Sequence, residues 1–232
     1  MLRTIFGEPR KIEEGILLET NSAIQAFSKQ LRAVHGNSQV EAKWIRLDLW
    51  ASGLLVALDE LEQSVYCSAK LAEQVKSRYE DEMSEEERND YYRHVYYYKN
   101  AFIRLFSILD KTGFFLDTLF DLDTSKVKPK FSYFTVLRQM HLTSTHKKLE
   151  QKLFDLKVKH RQPLDRLRRK RNLEIHSMNA ELIDDFWRTK SRFADRMQIE
   201  SLEANMADLQ AGYEMVCCSL HTIFRYSKGT IQ

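Results

Sequence analysis

Residues 199–224 read IESLEANMADLQAGYEMVCCSLHTIF, and their reading decides the fold. Ile199, Leu202, Met206, Leu209, Tyr213, Val216, Leu220 and Ile223 recur in steps of three and four. Side chains at that spacing line one face of an α-helix, so the stretch predicts a long helix with a buried stripe. The same pattern returns upstream. Leu54, Leu58, Leu61, Val65, Ala72 and Val75 mark a helix from about Gln39 to Tyr79. Ser84-Glu85-Glu86-Glu87 has the spacing of a capping box and predicts the start of a third helix, striped by Val95, Phe102, Leu109 and Leu116 and running to about Phe120. A first helix is expected over about residues 10–35, stopped at Gly36-Asn37.

Asp121 to Pro129 reads as a loop. Ser132 to Lys159 reads as helical with a break near Thr143-Ser144-Thr145, and Pro163 suits the first turn of a helix ending near His176. Ser177 to Ser191 is the least regular part. No strand-like alternation of useful length occurs. The predicted architecture is all-α, an antiparallel bundle of long helices. It is expected as a single domain over residues 1–232, with the helix in 1–37 packed on the bundle.

Composition narrows the class further. Seven Gly and three Pro are too few for a loop-rich or β-rich chain. The N-terminal MLRTIFGEPRK has no apolar core, so no secretory signal is expected. The longest uncharged apolar run, Leu49 to Leu58, falls short of the roughly 20 residues a membrane span needs, and no membrane partner is expected. Cys67, Cys217 and Cys218 make no disulfide framework, which points to a reducing cytoplasm. No Gly-rich phosphate loop argues for a nucleoside triphosphatase. No cofactor and no metal site is expected.

The net charge of +3 conceals an asymmetry. Lys126 to Arg171 holds 15 Lys and Arg against Glu150, Asp155 and Asp165, a net +12 that leaves −9 for the rest. Such separation fits either an anionic partner or a match between basic and acidic surfaces within or between chains. RNA is the expected anion, with Lys157, Lys159, Arg161, Arg166, Arg168, Arg169 and Lys170 as its contacts.

The basic stretch ends in Arg171-Asn172-Leu173-Glu174-Ile175-His176. Arginine holds a phosphate through a planar fork of donors, histidine moves a proton near neutral pH, and asparagine orients a hydroxyl or a phosphate oxygen. These residue types suffice for metal-independent cleavage of a phosphodiester. A second copy, Arg88-Asn89 to His94, lies among Glu80, Asp81, Glu82, Glu85, Glu86, Glu87 and Asp90. That acidic field repels a phosphodiester and predicts a solvated helix face. Helical geometry adds a condition. Asn172 and His176 share a face, whereas Arg171 lies well around the cylinder and meets His176 only through a bend or a second subunit.

The bundle and the Arg-polar-x3-His motif formed by Arg171, Asn172 and His176 resemble the HEPN superfamily, the higher eukaryotes and prokaryotes nucleotide-binding domains. The resemblance implies a homodimer that brings two motifs together. It implies an endoribonuclease, with His176 as acid or base, Arg171 on the phosphate and Asn172 in support, leaving a 2′,3′-cyclic phosphate. A toxin–antitoxin or defence setting, with an antitoxin protein as partner, is implied as well. Met178 stands where one toxin subset carries a modifiable tyrosine. Two alternatives stay open: a non-catalytic HEPN-like module that binds RNA or nucleotides, and a helical protein-interaction scaffold.

Other constellations read as structural. Cys217 and His221 are four apart, but zinc needs more ligands, and a buried cysteine is the better reading. Asp121 with Asp123, and Asp184 with Asp185, read as helix caps. Tyr91, Tyr92, Tyr96, Tyr97 and Tyr98 read as packing or a dimer interface rather than a base-stacking surface.

Overall fold

The computed structural model describes residues 2–9, 14–35, 41–127, 131–176 and 199–231. Gly36-Asn37, Met178 and Asp184-Asp185 lie outside these residues. Every regular element among the described residues is helical. The helices are α1 (Gly15–His35), α2 (Ala42–Ala72), α3 (Glu85–Leu119), the short α4 (Thr124–Val127), α5 (Tyr133–Thr143), α6 (Lys147–Lys159), α7 (Arg161–His176) and α8 (Leu202–Lys228). A 3-10 turn, Leu2–Phe6, docks on α2 through an Arg3–Glu62 ion pair and the Arg3 guanidinium 3.6 Å from the Tyr66 ring centroid. No described helix is long and apolar enough to cross a membrane.

The long antiparallel pair α2–α3 forms the frame, and α1 lies along α8 against it. One hydrophobic cluster runs from Leu17 to Ile231. At its centre Phe27, Phe115 and Phe224 meet with ring centroids 4.8 to 5.4 Å apart. The α8 stripe behaves as its spacing predicts: Leu209, Val216, Leu220 and Ile223 are fully buried. The stripe on α3 is broader than a single seam, because α3 touches α2, α5, α7 and α8 at once. Its buried residues therefore include Phe102, Leu105, Phe106, Leu109 and Leu116.

Two features depart from the sequence pattern, the end of α2 and the helical turn after Asp121, whereas the start of α3 and the break near Ser144 fall where the pattern puts them. α2 ends at Ala72 rather than near Tyr79. The backbone N–H groups of Lys76 and Ser77 each donate to the Glu87 carboxylate at 2.6 Å, and the Arg78 carbonyl accepts from Ile199 N–H at 3.0 Å. Continuing the helix would forfeit both anchors. Ser84 caps α3 by accepting from Glu87 N–H at 3.1 Å, while the Glu87 carboxylate draws in the incoming turn. Between α5 and α6 the chain turns at Ser144 and His146, both left-handed. His146 is held there by Tyr226, whose hydroxyl is 2.9 Å from Nδ1, and by the Phe120 ring at 3.8 Å. The loop after Asp121 contains the single turn α4, and Asp121 pairs with Lys43 at 2.6 Å rather than capping a helix.

Candidate functional site

α7 carries the motif, and its seat is built from small and apolar residues. Leu164 and Leu167 are its buried anchors. Full burial stabilises each by about 1.5–3 kcal/mol relative to exposure. Gly212 on α8 makes room for Leu167 and for Leu105 of α3: a Cβ there would stand 2.6 Å from Leu105 Cδ1 and 3.0 Å from Leu167 Cδ1. A side chain at this position would have to push the two leucine ends aside where α3, α7 and α8 meet.

Arg171, one turn beyond Leu167, follows the same inward face. Its guanidinium lies 5.1 Å from the Phe106 ring centroid, and its Nε is buried without a hydrogen-bond partner among the described residues. Asp110 lies nearby and accepts from Tyr133 N–H at 3.4 Å. Burial pushes the Asp110 carboxyl up, opposed by that N–H and by the charges of Arg171 and Arg168. Asn172 and His176 point the other way and are exposed. Beside them stand Leu173 and Ile175, 49% and 50% exposed. α7 stays helical through His176, so no bend brings Arg171 round to the imidazole.

The predicted RNA contacts divide by partner. Arg166 grips Asp208 with two bonds of 2.7 and 2.6 Å, and Lys159 meets Glu214 at 2.8 Å. Lys170 pairs with Glu200 and lies 5.7 Å from the Tyr98 ring centroid. These three hold α6 and α7 to α8 and to its approach. Arg161 and Arg168 share Asp165 at 3.8 and 3.6 Å, and Arg169 donates to the Asp165 carbonyl at 3.3 Å. Lys157 makes no ion pair among the described residues. It lies 5.5 Å from the Phe154 ring centroid and 6.0 Å from that of Phe134, and Arg168 covers Phe134 at 4.8 Å. Phe134 and Phe154 were not singled out in the sequence, although aromatic residues interleaved with Lys and Arg are a signal worth reading.

The Arg88 copy is not a solvated face. His94 is 1% exposed, with Nδ1 2.8 Å from the Ser68 carbonyl oxygen and 3.2 Å from its hydroxyl. It stacks on Tyr98 at 5.9 Å, and burial holds its pKa below the ordinary 6.5. Arg88 donates to the Glu80 and Met83 carbonyls. Both residues fix the start of α3. The tyrosine run divides as helical spacing requires: Tyr98 is buried, and Tyr92 and Tyr96 are exposed. Cys217 is buried, and burial raises the Cys218 thiol.

Searches of curated proteins and of solved structures return no match. A protein-family model, described as HEPN_Cthe2314-like HEPN, matches residues 50–228, from the first third of α2 to the end of α8. That span covers more than three quarters of the chain and includes the whole of α3, α5, α6 and α7. The chain belongs to the HEPN_Cthe2314-like HEPN family.

Proposed function

We propose that this protein is a metal-independent endoribonuclease that works as a homodimer across the outer face of α7. The observation that carries the reading is the split motif. Asn172 and His176 share an exposed face flanked by the half-exposed Leu173, while Arg171 is turned inward over Phe106. A second copy laid on that face would cover Leu173 and bring two His176 imidazoles to one phosphate. One imidazole takes the proton from the ribose 2′-hydroxyl as its oxygen attacks phosphorus. The other protonates the departing 5′-oxygen, leaving a 2′,3′-cyclic phosphate and a free 5′-hydroxyl. Asn172 positions the phosphate, and Arg171, released from Phe106, stabilises its developing charge.

The continuous core from Leu17 to Ile231 supports treating residues 1–232 as one domain. A cytoplasmic toxin–antitoxin or defence role, with a protein that restrains the nuclease, fits this activity. A second reading, a helical protein-interaction scaffold, is favoured by a separate observation. Arg166, Lys159 and Lys170 already neutralise Asp208, Glu214 and Glu200, so much of the basic segment serves the fold. Cleavage of a mixed RNA pool in EDTA separates the two. The nuclease reading expects cyclic-phosphate ends from the wild type and a loss of about 10²–10⁴-fold in His176→Ala. Equal rates for the two proteins, or no cleavage by a folded wild type, would overturn it.

A further inference from the structure

α6 presents a ring that the core does not use. Its buried positions are Leu149, Glu150 and Leu153, whereas Phe154 is 43% exposed. Phe154 is linked by a chain of contacts to the motif helix. Lys157 stands between Phe154 and Phe134, at 5.5 and 6.0 Å from their centroids, and Arg168 covers Phe134 at 4.8 Å. Arg168, Asn172 and His176 then follow at intervals of four residues on α7. Helical geometry puts such residues in one line. Aromatic and guanidinium planes thus alternate with an ammonium group along a path that starts on α6 and ends at the candidate site. The cations on this path differ from those that bind α8. Among the described residues Lys157 has no ion pair, and Arg168 pairs with Asp165 alone, at 3.6 Å.

We infer that Phe154, Lys157, Phe134 and Arg168 form a binding track for an unpaired RNA strand that leads to Asn172 and His176. The inference rests on the proposed nuclease reading only for where the track ends. A base stacks on the exposed Phe154 ring, a second on the outward plane of the Arg168 guanidinium, and Lys157 meets the phosphate between them. Such a surface selects unpaired strands, because a duplex keeps its base faces stacked inside. An acidic protein partner would use the same cations but would gain little from the exposed ring.

The test is fluorescence anisotropy with the full chain and a labelled 2′-O-methyl oligouridine of about 12 nucleotides, within the usual site size for such surfaces. This strand lacks the nucleophilic hydroxyl, so binding is read independently of cleavage, and failure of one reading does not decide the other. Phe154→Leu keeps aliphatic bulk and removes the π-face. It is expected to weaken binding about tenfold. Lys157→Gln is expected to weaken binding and to lower the slope of log affinity against log salt by about 0.7. Tyr96→Ala, at an exposed tyrosine on α3, leaves affinity unchanged. The track is overturned by Phe154→Leu binding as tightly as the wild type, by a preference for duplex of the same length, or by absence of binding. Sensitivity to Lys157→Gln without sensitivity to Phe154→Leu also overturns it, since that is generic polyanion attraction.

Discussion

The two arginine–histidine copies are alike as text and opposite as structure. Arg88 and His94 occupy the first turns of α3, where the imidazole is sealed against Ser68 and Tyr98. Arg171 and His176 end α7, where the imidazole is exposed beside Leu173 and Ile175. The local charge argues against a phosphate at the first copy, and the burial of its ring is a separate reason that the charge does not reveal. Acidic neighbours set the field, while burial removes the ring from any substrate. A histidine that must exchange protons with RNA needs access, and access is decided by which neighbours pack over it.

The comparison breaks most sharply by truncating each histidine. His176→Ala is expected to lower cleavage by about 10²–10⁴-fold while leaving the urea midpoint nearly unchanged. His94→Ala is expected to do the reverse. It opens a cavity and removes the ring's contacts with Ser68, which costs about 2–4 kcal/mol, while cleavage per folded molecule stays near wild type. Matching losses of activity in the two variants, at matched folded fractions, would erase the distinction.

Gly212→Ala asks whether the seat of α7 matters as much as its surface. The new methyl overlaps Leu105 and Leu167, and the expected cost is about 1–3 kcal/mol with α7 displaced. Hydrogen exchange should then show faster opening of the amides from Leu164 to Arg171. An unchanged exchange pattern would mean that the two leucines repack without moving the helix.

Acid sharpens the contrast from the buried side. Burial holds the pKa of His94 below 6.5, and does the same for His146 and His160. The stability from these neutral rings is present above about pH 6.5 and is lost as pH falls toward their folded pKa values, because the unfolded chain takes up protons first. Urea midpoints should therefore drop from about pH 7 to pH 5, and His94→Asn should flatten the slope. A slope unaffected by the substitution would assign the effect to the other two histidines. The smallest effect is expected at the half-exposed Lys99–Glu174 pair, 2.9 Å apart beside the motif. Lys99→Ala should cost about 0.5 kcal/mol or less in thermal unfolding.

Much of the bundle was legible because periodicity reports burial directly. Leu209, Val216, Leu220 and Ile223 lie where their spacing puts them, and the break near Ser144 falls where the chain turns. The end of α2 was not legible, since Val75 continues the apolar pattern while the Glu87 carboxylate, eleven residues past Lys76, captures the backbone first. At the candidate site the opposed faces of Arg171 and His176 followed from helical geometry alone. The sharing of the basic segment did not. Arg166 and Arg168 are two residues apart, yet one grips Asp208 on α8 and the other covers Phe134 on α5.

The sequence by itself determined the all-α class, most helix boundaries and the location of the motif at the end of a basic helix. These depend on neighbours within a few turns, where 3.6-residue geometry fixes what shares a face. Only the tertiary structure decided which histidine is sealed, which cations are neutralised by α8 and which aromatic rings remain open. Those outcomes depend on residues such as Gly212 and Asp208, tens of positions away in the chain, that set how closely α3, α7 and α8 approach.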